Sequence, residues 1–116
     1  AFVPGVAYFP DENRDVESRA GDLPVVFTAP HDGGELPPTI PARIAGEGGG
    51  AVVTTARDVA TAELARAIRG AYVAATGRYP HVVIVRLHRS RLDANRDLRE
   101  AACGNWRTEK AWRDYH

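Results

Sequence analysis

Lysine is nearly missing from this chain. Of its 15 basic residues only Lys110 is not an arginine. Arginine clamps carboxylates and phosphates through a planar fork that a lysine lacks, although GC-rich coding produces the same bias. Cysteine is as scarce. Cys103 stands alone, which excludes an intrachain disulfide and a cysteine-based zinc cluster and leaves the redox compartment open. With Ala102 and Gly104 as neighbours and no base nearby in sequence, it reads as an inert packed thiol rather than a nucleophile. Net charge is absent too. Fifteen acidic residues cancel the basic ones, so charge implies neither a nucleic-acid partner nor an anionic membrane. No apolar run approaches membrane-spanning length. The glycine tract Gly48–Gly50 lacks the GK[ST] ending and preceding strand of a phosphate loop. A start at Ala1-Phe2 without a signal peptide fits a processed secreted protein or a trimmed chain.

What is present suits one small α/β domain over residues 1–116. Hydrophobic residues make up 44%, enough for a core. Residues 1–22 read as an irregular arm with a short strand at Val6–Phe9 and turn chemistry at Pro10–Asn13. Val25–Ala29 reads as a buried strand, ending at Pro30-His31-Asp32-Gly33-Gly34-Glu35. Ligands in open α/β sheets bind at the carboxyl ends of strands. His31 therefore stands where a metal ligand or catalytic imidazole would, or it is a surface histidine in a turn. The glycines after it would permit close backbone or substrate approach. Pro37, Pro38 and Pro41 hold the following loop extended, and Gly46–Gly50 make it mobile.

Leu64, Ile68, Tyr72 and Ala75 recur at helical spacing and predict an amphipathic helix stopped by Gly77. Asp58, near its start, is either a helix cap or a metal ligand facing His31. His81–Leu87 predicts a second buried, parallel strand, completing a βαβ unit. That topology brings the segment after Leu87 to the same sheet edge as His31. It carries Arg89, Arg91, Asp93, Asn95 and Arg96. These form either a solvated loop with weak local ion pairs or a carboxylate-recognition cluster. In the latter, arginines supply paired donors, Asn95 a neutral donor and acceptor, and Asp93 orients an arginine or fixes the loop. Asn105–His116 reads as a helix capped by Asn105, with Trp112 and Tyr115 on one core-facing side.

Taken in order, several motifs carry a resemblance. Pro4-Gly5 with Tyr8-Phe9, Gly21 with Leu23-Pro24-Val25, and Ala29-Pro30-His31 with Gly33 come first. Asp58 with Thr61 and Glu63-Leu64-Ala65, Gly77–His81, and Leu87–Arg96 follow. Glu100–Asn105, Ala111-Trp112 and Tyr115-His116 continue the pattern. The chain resembles the N-formylglutamate amidohydrolase family along nearly its whole length. That resemblance implies a zinc carboxypeptidase-like fold, a mixed and mainly parallel sheet flanked by helices with one zinc at its carboxyl edge. It implies a metal-dependent hydrolase of an N-acyl (formyl-type) amide of a glutamate-like amino acid, a small-molecule substrate.

By position, the resemblance makes His31 the first metal ligand and Asp58 the second. Asn95 and Arg96 would hold a substrate carboxylate, and Arg89 would add a clamp or polarise the scissile carbonyl. Carboxypeptidases use His-x-x-Glu, whereas Gly34 stands three after His31 and Glu35 one later, so Glu35 competes with Asp58. Asp32 stands where a small residue is expected. The family's later histidine-bearing segment has no counterpart, which implies an N-terminal portion that binds metal poorly and turns over weakly or not at all. The alternatives are a domain binding a small carboxylate without turnover, or a zinc peptidase acting on cell-wall or polyglutamyl peptides.

Overall fold

A computed structural model describes residues 2–44 and 53–116. The expected mobile tract Gly46–Gly50 lies outside the described residues. Among the described residues, four strands and three helices follow one another: β1 (Ala7–Tyr8), β2 (Val16–Arg19), β3 (Val26–Ala29), α1 (Thr61–Thr76), β4 (His81–Val85), α2 (Leu98–Ala102) and α3 (Trp106–Tyr115). The sheet order is β1-β2-β4-β3. β3 pairs parallel to β4, as a βαβ unit requires. β2 pairs antiparallel to β4, and β1 antiparallel to β2. The sheet is therefore mixed, but with two antiparallel pairings to one parallel, not mainly parallel. The difference comes from β2. Its Glu17 and Arg19 hid it from a search for apolar runs, yet it fills the slot beside β4.

β4 is one of the two inner strands, and its period-2 alternation feeds both layers. Val82 and Ile84 face α1, packing with Ala29, Ala62, Ala65 and the half-buried Phe27. Val85, with Leu87, meets Val16, Ile40, Leu92, Ala101 and Ala111 on the opposite side, where Trp112 and Tyr115 of α3 close the cluster. Arg107 of α3 ties that layer to the start of β2. Its Nε and Nη2 donate to the two oxygens of the buried Asp15 at 2.9 and 2.8 Å.

Two expectations are corrected here. β3 is an edge strand, not a buried one, and Val26 is 57% exposed. The parallel register turns the backbone groups of residues 25, 27 and 29 toward β4 and those of 24, 26, 28 and 30 outward. The outward positions at both ends are Pro24 and Pro30, which have no N–H. This blunts the edge against a further strand. The second correction concerns α1. Its buried contacts are Ala62 and Ala65, while Leu64 is 58% exposed. Small side chains let the helix lie close on the sheet, which rotates Leu64 away, and Tyr72, 37% exposed, packs its ring against Phe27.

Candidate functional site

After β3 the chain leaves the sheet for a short excursion and rejoins β4 at Glu35. Glu35 N–H donates to Arg86 O, and Glu35 O accepts from His88 N–H, forming a parallel bridge opposite Leu87. Gly33 makes the excursion fit. A Cβ there would lie 2.3 Å from the Leu87 carbonyl oxygen and 2.4 Å from the Arg86 carbonyl carbon. Gly34 meets only the Arg57 side chain at ordinary contact distance. His31 sits in this excursion, 4% exposed.

The second arm of the site follows β4. A turn at residues 88–91 leads into Leu92-Asp93-Ala94, and all three are fully buried. The apolar neighbours pin the backbone, so Asp93 is fixed in place. Its Oδ1 accepts from His31 Nε2 at 2.6 Å and from the Asn95 backbone at 3.1 Å. Its Oδ2 accepts from Arg89 Nε at 3.0 Å, with Arg43 Nη2 and Arg96 Nε each 3.8 Å away. Burial raises the Asp93 carboxyl, but the His31 and Arg89 hydrogen bonds outweigh it and hold the group below its ordinary value.

Asp58 supplies the third arm. Its Oδ2 lies 3.1 Å from His31 Nδ1, its Oδ1 lies 3.9 Å from Arg89 Nη1, and its side chain is half exposed. It does not cap α1 with its carboxylate. Only its backbone oxygen serves the helix, accepting from the Thr61 hydroxyl. The capping carboxylate is Asp32, which accepts from Ala60 N–H at 3.2 Å and Ala62 N–H at 2.9 Å.

With Asp93 accepting from Nε2, the ring proton belongs on Nε2. The Nδ1 lone pair then faces a carboxylate oxygen, an arrangement that needs a proton or a cation between them. Two atoms bound to one tetrahedral zinc at ~2.0–2.1 Å lie about 3.3 Å apart, close to the Nδ1–Oδ2 spacing. The spacing of His31 and Asp58 suits an Nδ1–H hydrogen bond to the carboxylate as well as two ligands of one zinc. Among the described residues no third His, Cys, Asp or Glu joins them. Asp93 reaches the opposite edge of the ring and would orient the histidine rather than bind the ion.

The other expected residues divide. Arg96 and Asn95 are exposed at the mouth of the cluster, and Arg96 shares Asp93 with His31. Arg89 is mostly buried, with an 87% covered side chain held by Asp93 and the Ala56 carbonyl. Asp93 is itself out of a ligand's reach and acts through His31 and Arg89. Glu35 is not brought to His31. Its carboxylate pairs with Arg86 at 2.6 Å. A cleft of about 280 Å³ runs beside the site along Asp32, Gly34, Arg57, Glu63, Arg66 and Arg86, but neither His31 nor Asp58 lines it.

No family model, curated protein or solved structure matches this chain. The site is thus described by its own geometry.

That geometry includes a residue the sequence did not flag. Arg43, in the proline-rich loop, is 8% exposed. It donates to the carbonyls of Arg89 and Thr54 and lies against Asp93. Burial lowers its guanidinium and Asp93 opposes that shift. Nothing local distinguishes it from the other arginines of the chain, because its partners come from three distant segments.

Proposed function

We propose that the chain carries the metal and substrate-carboxylate halves of an amidohydrolase site related to the N-formylglutamate amidohydrolases. The observation that carries the reading is that His31 meets Asp58 at one ring nitrogen and, at the other, Asp93, which Arg96 approaches to 3.8 Å. His31 and Asp58 would hold zinc. When bound, zinc supplies an activated water and polarises an amide carbonyl. Arg96, with the neighbouring Asn95 amide, takes the carboxylate of an N-acyl glutamate-like substrate. Arg89 is braced by Asp93, so its guanidinium is oriented before the substrate arrives, which lowers the entropy of positioning.

The two-membered donor set among the described residues favours a second reading, carboxylate binding without turnover. Formate release from N-formyl-glutamate, measured with and without added zinc, separates the two. Hydrolysis that depends on zinc and is lost in His31→Ala supports the first. Glutarate binding that is lost in Arg96→Ala, with no formate at any zinc concentration, supports the second.

A further inference from the structure

We propose that Asp32 is the positioning residue that holds Asp58 against His31. Helix α1 starts without a cap of its own, because its N-cap residue Ala60 has no polar side chain. Asp32 comes across from the β3 excursion and gives one carboxylate oxygen to the Ala60 amide and the other to the Ala62 amide. Arg57 completes the clamp, donating through Nε and Nη2 to the Asp32 carbonyl and through Nη2 to Oδ1. The Asp58 amide donates to the His31 carbonyl at 3.1 Å. The turn that carries Asp58 is thus fastened on both sides to residues 31 and 32.

The backbone bears the mark of this clamp. Ala60 has φ 69°, a left-handed conformation that alanine rarely adopts. Such strain persists only where the surroundings enforce it. The two Asp32 bonds straddle Ala60, and the Asp32 side chain that accepts both is only 9% exposed. The consequence for Asp58 is direct. Asp32 relieves it of capping, and the strained turn aims its carboxylate at Nδ1 of His31. The departure at the position after the histidine, where a small residue was expected, has a function in this arrangement.

The role toward zinc rests on the reading above, and the role toward Asp58 does not. Amide hydrogen exchange separates them. In Asp32→Ala, the amides of Ala60 and Ala62 lose their acceptor directly. The Asp58 amide bonds to His31, not to Asp32, so it loses protection only if the whole turn lets go. The expected result is at least tenfold faster exchange at Asp58 in Asp32→Ala, with β4 amides unchanged. Asp32→Asn, which keeps an acceptor oxygen, serves as the second variant if the alanine variant does not fold, and it should show a smaller change. Zinc affinity, read by calorimetry, should fall about tenfold or more in Asp32→Ala, as for residues that orient metal ligands, and less in Asp32→Asn. Faster exchange at Ala60 and Ala62 with full protection kept at Asp58 would overturn the proposal and leave Asp32 a helix cap only. A wild-type chain that binds no zinc would overturn the hydrolase reading, and the exchange data would still decide the part played by Asp32.

Discussion

The imidazole of His31 and the carboxylate of Asp93 meet at 2.6 Å across 62 residues of chain. Both groups are buried, and each satisfies the other. The pair joins the end of β3 to the loop after β4, and the remaining polar groups of the site are arranged around it.

Removing Asp93 therefore strips several partners at once. Asp93→Ala leaves the buried Arg43 and the Arg89 and His31 donors without their shared acceptor. The loss expected for breaking a buried charge cluster is about 3–5 kcal/mol, measured by urea denaturation. A loss under about 1 kcal/mol would mean that solvent replaces the carboxylate.

The same carboxylate sets an acid limit on the fold. Its pKa is lowered from 3.8 in the folded state. A depressed carboxylate contributes stability above its unfolded pKa, and the contribution is lost as pH falls through the folded value. Unfolding free energy should decline below about pH 4, and Asp93→Asn should flatten that decline. Denaturation curves between pH 2.5 and pH 6, as roughly chosen to bracket that range, check the sign.

Arg96 and Arg89 should separate binding from stability. The Arg96 side chain is 48% exposed and only loosely paired, so Arg96→Ala should change stability by about 0.5 kcal/mol or less. It should nonetheless weaken binding of glutarate or N-acyl glutamate by about 10- to 100-fold, as loss of a charge-assisted hydrogen bond implies. Arg89→Ala should cost about 1–3 kcal/mol of stability, since its bond to Asp93 is shielded. Equal effects of the two substitutions on calorimetric affinity and on unfolding would refute this division.

The adjacent glycines should differ sharply. Gly33→Ala forces a methyl group onto the Arg86–Leu87 backbone and should cost about 1–3 kcal/mol or more while displacing His31. Gly34→Ala meets only the Arg57 guanidinium, at ordinary van der Waals distance, and should fall within about 0.5 kcal/mol of wild type. Thermal melts of the two variants would show it directly.

Ala60 invites the opposite substitution. Glycine tolerates its φ of 69° without strain, so Ala60→Gly should stabilise the chain by roughly 0.5–1 kcal/mol. In the exposed middle of α1, Ala67→Gly should instead destabilise by about 1 kcal/mol. Matching signs for the two changes would argue that Ala60 is not held in the left-handed region.

Local chemistry alone determined several elements. The apolar run of β4, the stop at Gly77 and the Asn105 cap of α3 were legible because propensity, periodicity and capping act over a few residues. The βαβ order also placed His31 and the segment around Asp93 at one sheet edge, since parallel strands joined by a helix end on the same side. Only the tertiary structure decided the rest. It put the polar strand β2 beside β4, turned Leu64 outward, paired Glu35 with Arg86, and brought Asp32 to a helix it does not belong to. It also buried Arg43 among carbonyls from three segments. Each of these outcomes depends on which groups remain unpaired once the layers have packed. A hydrogen bond between distant residues satisfies a demand created by burial, and that demand does not exist until the chain has folded.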